Sequence, residues 1–457
     1  MKLLLLLFLS VVSCSSRANL REEDIAKICS AYELQRRKGL RGKSGILGRY
    51  GEVMRKHTVE YGSMAQGAAH LASYPGRSGL AADRRPPAGR NKDRKPKPKR
   101  NETDASDASK RRMRKDYEGA CYFGLGCFDN EAYGLGGLPD GSLVVKSFCR
   151  IYRRNERTGI RFTYMDVSAA VQLIHEPTEL IVIVHGFTSE SYANWVIDLM
   201  KKSLENTDCA VVTVDWAQGA LGSVPYKQAI INSQLIGRQV ARILFKLMDL
   251  TSGKISPENT HWIGHSLGAQ MTIYFWDYFS EISGGRIISK ITALDPAAPF
   301  YESSNLFLNT SMAEFVEVIH TSSGTGHGTS YGMSIPIGHV DFYMNGGDSP
   351  QPGCLAVMGP HCSHSRAQLF YAEAIDVKSP CTMFSYSCMG GRAQYEADEC
   401  DVESENWSAI TFNHTQNLPG RGIQFVDTEA KSPFCVPVEQ VGPRKPKIKD
   451  DCNCVCP

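Results

Sequence analysis

Five consecutive apolar residues, Leu180-Ile181-Val182-Ile183-Val184, constrain this chain more than any other segment. Four of them are β-branched and no polar residue alternates with them, so the run describes a strand covered on both faces. Ala210-Val211-Val212-Thr213-Val214 is a second such run. His261-Trp262-Ile263, Ile291-Thr292-Ala293-Leu294 and Phe315-Val316-Glu317-Val318-Ile319 read as further strands. Helical patterns lie between them. Lys227 to Leu250 places Ile230, Ile231, Leu235, Val240, Ile243, Leu244 and Leu247 on an apolar face, and Leu267 to Phe279 is the next helix. Strand and helix in alternation predict an α/β fold with a mostly parallel central sheet and helices on both faces.

Gly264-His265-Ser266-Leu267-Gly268 sits between one of these strands and the start of a helix. A bare G-x-S-x-G occurs easily by chance, but this setting is the one a nucleophile elbow requires. The turn is so sharp that the serine takes a strained backbone conformation, and glycines on either side let neighbouring backbone approach. A helix beginning at the serine also points free N–H groups at developing negative charge.

A serine hydroxyl attacks only when a base takes its proton and an acid orients that base. On this kind of fold the order along the chain is Ser, then Asp or Glu, then His. Asp295 directly follows the strand Ile291 to Leu294 and so lies at a carboxyl end of the sheet, where sites gather. A plain turn residue before Pro296 is the competing reading. Downstream histidines are His320, His327, His339, His361, His364 and His414. His320 and His339 belong in or beside strands and read as structural. His361 and His364 flank Cys362 on a loop that suits a mobile, exposed base, and residue chemistry does not separate the two. The oxyanion needs two donors: the N–H of Leu267, after the nucleophile, and that of Phe187 in His185-Gly186-Phe187, directly after Leu180 to Val184.

Composition supports a soluble globular body, with 42% hydrophobic and 22% charged residues. The formal net charge of +3 conceals a split. Residues 1–115 hold 27 Lys+Arg against 11 Asp+Glu, and residues 116–457 hold 24 against 37. A basic arm is therefore joined to an acidic body. Residues 1–16 read as a secretory signal: Lys2, an apolar run Leu3 to Val12 too short to span a bilayer, then Ser13-Cys14-Ser15-Ser16. Residues 17–115 form a basic, largely disordered arm or pro-segment. From Ala81 onward Arg, Lys, Pro, Asp and Ser dominate and cannot bury enough apolar surface to offset chain entropy. Arg111-Arg112-Met113-Arg114 offers a paired-basic processing site.

Without Cys14, fourteen cysteines are left, an even number that allows up to seven bridges in an oxidising compartment. Cys121 with Cys127 and Cys354 with Cys362 look local. The tail Cys452-Asn453-Cys454-Val455-Cys456 has no His or Cys pair to complete a metal cluster, so disulfides are expected there. Sequons at Asn101, Asn309, Asn406 and Asn413 suit an exported, extracellular chain.

With these pieces in order, the chain resembles the pancreatic-lipase family of secreted lipases, especially its invertebrate branch and the related phospholipases A1. The matching residues run from about Cys121 to Cys435. They include His185-Gly186-Phe187, Val214-Asp215-Trp216, Tyr226 with Ala229, Asn232 and Gly237, and Ile263 to Ala269. Leu294-Asp295-Pro296-Ala297, Val318-Ile319-His320-Thr321, Gly338-His339-Val340-Asp341-Phe342 and Asn345-Gly346-Gly347 follow. The resemblance implies an α/β-hydrolase domain over 116–440, with a Cys-rich tail over 441–457. It implies that the histidine of a C-x-H pattern after the lid is catalytic. That pattern falls on Cys362-Ser363-His364, so the resemblance selects His364.

Three departures carry weight. Cys354 and Cys362 enclose only seven residues, a mini-lid like those of phospholipases A1, and Leu355, Val357 and Met358 on it could touch an aggregated lipid. The chain ends soon after Cys435, so no C-terminal β-sandwich, and hence no colipase, is expected. Phe300 to Phe315, where relatives can hold calcium, offers only Glu302 and Glu314 as carboxylates, so no metal is expected.

The resulting expectation is a serine carboxylic-ester hydrolase without organic cofactor, acting on a lipid aggregate or membrane surface. It favours the sn-1 ester of phospholipids, with triacylglycerol as the alternative. A catalytically silent lipid-binding protein on the same fold would predict a broken triad, whereas Ser266, Asp295 and His364 are all present. The basic cluster from Arg84 to Arg100 adds possible binding to acidic polysaccharide or anionic membranes. No nucleic-acid partner is implied.

Overall fold

The computed structural model describes residues 119–441 except 325–329, 356, 358, 401 and 438–439. The segments read as a signal and a basic arm, the Cys452–Cys456 tail, His327 and Met358 of the expected lid lie outside the described residues. Among those described, no helix is long and apolar enough to cross a membrane.

Thirteen strands are described: β1 (Gly119–Tyr122), β2 (Gly126–Asp129), β3 (Phe148–Arg153), β4 (Glu156–Phe162), β5 (Glu179–Val184), β6 (Cys209–Asp215), β7 (Thr260–His265), β8 (Ile288–Leu294), β9 (Ala313–His320), β10 (Val340–Met344), β11 (Phe384–Cys388), β12 (Val402–Ala409) and β13 (Gly422–Val426). Apart from the β1–β2 hairpin, they form one sheet in the order β12-β11-β13-β10-β9-β8-β7-β5-β6-β3-β4. The seven central strands from β13 to β6 run parallel, and antiparallel pairs close both edges. The expected mostly parallel sheet is present, and the apolar runs read from the sequence are its centre. Edge pairs β3–β4 and β11–β12 carry mixed polar and apolar residues, which is why they lack the signature of a doubly covered strand.

Among the described helices that flank the sheet are α1 (Asn194–Asn206), α2 (Tyr226–Leu250), α3 (Leu267–Gln270), α4 (Thr272–Ser283) and α5 (Gly359–Ala374). Residues of α2 and α4 pack in one layer with Trp262, Val182 and Val214. Residues of α1 and α5 pack on the opposite face with Ile181, Ile183 and Ile263. Alternate residues of β5 therefore feed two separate cores, which explains why its sequence is apolar throughout.

The disulfides Cys121–Cys127 and Cys354–Cys362 form as read, and Cys381–Cys435 and Cys388–Cys400 join them. Among the described residues Cys149 and Cys209 are buried and unpaired, so they add no bridge to these four. Cys149 faces the α2 layer and Cys209 the α1 layer, so the sheet itself separates the two thiols.

Strand order reverses at β5, whose neighbours are β6 on one side and β7 on the other. The carboxyl ends of β5 and β7 lead to helices on opposite faces of the sheet, and such a switch point is the general ligand position in open α/β sheets.

Candidate active site

Ser266 occupies the turn between β7 and α3 with φ 56° and ψ −121°. A side-chain-bearing residue rarely adopts that region, and the surrounding packing holds it there. Its N–H donates to the Leu294 carbonyl at 3.0 Å. The Trp262 indole, fully buried below, donates to the Gly268 carbonyl at 3.0 Å and fixes the start of α3. A Cβ on Gly268 would meet the Val184 carbonyl oxygen at 2.3 Å, so only glycine lets β5 and the elbow close together. A Cβ on Gly186 would lie 2.8 Å from the Ser266 Cβ and 3.4 Å from the Leu267 nitrogen. The β5 loop is thus pressed directly against the serine.

That contact brings Phe187 and Leu267, the two expected oxyanion donors, to one place. Among the described residues, neither backbone N–H has a hydrogen-bond acceptor. The loop is held by His185, which sequence reading quoted but gave no role. Its Nε2 accepts the Trp216 N–H at 3.2 Å, so Nδ1 carries the proton and donates to the Gly186 carbonyl at 2.9 Å. Its ring stacks on the Trp216 indole at 5.5 Å.

Asp295 is fully buried at the end of β8 with φ 44°, and its N–H donates to the Ile319 carbonyl at 2.7 Å. His364 Nδ1 donates to Asp295 Oδ2 at 2.6 Å. Asp295 Oδ1 accepts the N–H groups of Thr321 at 2.8 Å and Ser322 at 3.1 Å. Burial by itself would push the carboxyl up, but the His364 ring and these donors outweigh it and hold it below the ordinary value.

His364 lies on the early turns of α5 and is 7% exposed, whereas His361 on the first turn is exposed. The mobile, exposed base expected from the loop reading is therefore corrected. A helix begins before Cys362 and carries the ring inward against the sheet. His265 Nε2–H donates to the His364 carbonyl at 3.1 Å, and the two rings lie 4.5 Å apart. No described hydrogen bond joins the Ser266 hydroxyl to the His364 ring. Such contacts are often long without substrate.

His320 and His339 serve the scaffold. His320 is fully buried, donates from Nδ1 to the Met333 carbonyl at 3.0 Å and bonds Asp341 through Nε2 at 3.0 Å. His339 Nδ1 accepts the Val316 N–H at 2.9 Å. Ser322, which no motif singled out, touches the Asp295 carboxylate through its hydroxyl. The only sequence signal for it was its place just past β9. In the loop expected to act as a lid, Leu355 and Val357 are exposed, and Cys354–Cys362 closes its base.

Residues 166–434 match the family model Lipase. The chain belongs to the lipase family. It is 30% identical over 313 residues to phospholipase A1 of Vespa velutina, covering 65% of this chain and 97% of the relative. Phospholipase A1 of Vespula vulgaris is 33% identical over 267 residues, covering 56% of this chain and 74% of the relative. Pancreatic lipase-related protein 2 of Cavia porcellus is 32% identical over 282 residues, 59% of this chain and 61% of the relative. The fold is thus that of an α/β-hydrolase, and the chain is a lipase-type ester hydrolase.

The buried histidines of this lipase give a pH prediction. Burial lowers His185 to about 4, and burial, then the His364 ring, lowers His265 to about 3. Unfolded histidines titrate near 6.5, so between those values only the unfolded chain takes up the protons, and stability is lost as pH falls through that window. In full, His185 contributes roughly 3 kcal/mol and His265 roughly 5 kcal/mol, so Tm should drop steadily from pH 7 to pH 4.5 in melting experiments. A flat Tm across that range would contradict it.

Proposed function

We propose that Ser266, Asp295 and His364 form a catalytic triad that hydrolyses glycerolipid esters, the sn-1 ester of phospholipids being favoured. The 2.6 Å contact between His364 Nδ1 and Asp295, beside a serine at positive φ, carries this reading. The Ser266 hydroxyl attacks the ester carbonyl as His364 takes its proton at Nε2. Asp295 stabilises the imidazolium. The Phe187 and Leu267 N–H groups hold the oxyanion, each worth about 3 kcal/mol in comparable sites. The imidazolium gives its proton to the departing alcohol oxygen, water attacks the acyl-enzyme by the same route, and the fatty acid leaves.

The seven-residue lid supports phospholipid, because so short a loop leaves room for a charged head group. Four disulfides among the described residues fit a secreted chain. Purified protein should release the sn-1 acid from phosphatidylcholine carrying two different acyl chains, and do so faster than it releases acid from triolein. Turnover of triolein alone would sink the phospholipase reading and leave the triacylglycerol lipase.

Leu355, 65% exposed, and Val357, 89% exposed, project from the lid as expected of groups that enter a lipid surface. Burying two such side chains is worth about 1.5–3 kcal/mol each at full depth. The double substitution Leu355→Ser, Val357→Ser should slow hydrolysis of phosphatidylcholine vesicles about tenfold. Turnover of a soluble short-chain ester should fall less than twofold, and an equal loss on both substrates would refute the lid's surface role.

A further inference from the structure

We infer that Ser322 is a positioning residue for the Asp295–His364 pair: its hydroxyl sets the orientation of the carboxylate and shares its charge with the imidazole. This rests on the triad proposed above. Ser322 is fully buried, two residues past His320, the last residue of β9. Its hydroxyl accepts the Gly332 N–H at 3.0 Å, which leaves its own proton to one neighbour, Asp295 Oδ2, and the two form a hydrogen bond. Ser322 Oγ also lies 3.3 Å from His364 Nδ1. Asp295 Oδ2 therefore receives two donors, Ser322 Oγ–H and His364 Nδ1–H, while Oδ1 receives two backbone N–H groups.

The position is walled in. A Cβ on Gly332 would sit 2.3 Å from Asp295 Oδ1, so the Tyr331–Gly332 segment lies flat on the carboxylate. Tyr331 stands edge-on to the His364 ring at 5.5 Å. The hydroxyl cannot rotate to another acceptor without abandoning both bonds. A carboxylate that must satisfy Ser322 has less charge for the imidazolium, so removing the hydroxyl has two effects. Asp295 loses one restraint on its plane, and its Oδ2 becomes a stronger acceptor for the protonated ring. The titratable groups facing the pair are His265 on β7 and Tyr331 on the 330–334 segment, while the exposed His361 on the first turn of α5 acts on His265 through its charge.

The test uses the full chain and a soluble short-chain ester, so that adsorption to lipid does not enter. Ser322→Ala should lower kcat about tenfold, the scale of one lost hydrogen bond to a charged group, with KM changed less than twofold. The acid limb of kcat/KM should move to higher pH by half a unit or more. Ser322→Thr, which keeps the hydroxyl, should restore the limb to its original position, and this reading survives if the alanine variant folds poorly. Ser323→Ala is the structural comparison: that hydroxyl is equally buried but, among the described residues, bonds the Gly347 carbonyl and the Asp348 carboxylate. It should lower Tm without moving the limb. An unmoved limb in Ser322→Ala, or an equal movement in Ser323→Ala, overturns the assignment. Full hydrolysis by Ser266→Ala would instead overturn the triad on which it rests.

Discussion

Replacing Ser266 with alanine is expected to lower kcat/KM on any carboxylic ester by about 10⁵-fold or more, with the fold unchanged. The size follows from the role: without the hydroxyl there is no acyl-enzyme, and only the oxyanion donors and binding contribute. The harmlessness to folding follows from the structure. Ser266 holds its place through backbone, its N–H on the Leu294 carbonyl and its turn braced by Trp262 and Gly268. No described hydrogen bond depends on its side-chain oxygen. Alanine has the same Cβ, so the positive φ costs it no more than it costs serine. Tm should stay within a few degrees, as for a substitution that leaves no buried group unpaired. Hydrolysis and melting measured on one preparation decide the matter, and hydrolysis near the wild-type rate would remove Ser266 from the mechanism.

Asp295→Asn is expected to lower kcat about 10⁴-fold while leaving KM on a soluble ester nearly unchanged, by analogy with other serine triads. Here the direction is dictated by donors already in place. Oδ1 faces two backbone N–H groups, from Thr321 and Ser322, which cannot turn away. An asparagine must present its carbonyl oxygen to them, because N–H cannot face N–H. Its amide nitrogen then points at His364 Nδ1 and donates to it. That places the ring proton on Nε2, toward the serine, where it cannot accept the hydroxyl proton. The Ser322 hydroxyl would also lose its acceptor on Oδ2, so a stability loss of about 1–2 kcal/mol should accompany the change. Retention of more than a tenth of the wild-type kcat would mean that Asp295 does not orient the base.

The two predictions rest on different parts of the chain's legibility. Ser266 was readable because an elbow needs local things: a strand, a turn with small neighbours and a helix start, all within a few residues. Asp295 was readable for a similar reason, as the residue after a strand of the parallel sheet. His364 was not. His361 and His364 have the same residue type, the same flanking cysteine and nearly the same position, and only resemblance to a family separated them. The structure distinguishes them by the phase of α5, which turns one ring toward β7 and leaves the other in solvent. Ser322, His185 and His265 were less legible still, because each works through a neighbour distant in sequence. The edge strands were missed for a simpler reason: they are covered less completely, and their composition says less.

What the sequence determined by itself was the centre of the sheet, the order of its elements, the elbow and two of the bridges, because strand burial, turn geometry and short loop closure are local constraints. Tertiary structure alone decided which histidine meets Asp295, which donors saturate its carboxylate and why Cys149 and Cys209 stay apart. Those outcomes depend on which faces of separate elements meet across the sheet. That is set by packing between residues dozens of positions apart, and no local pattern encodes it.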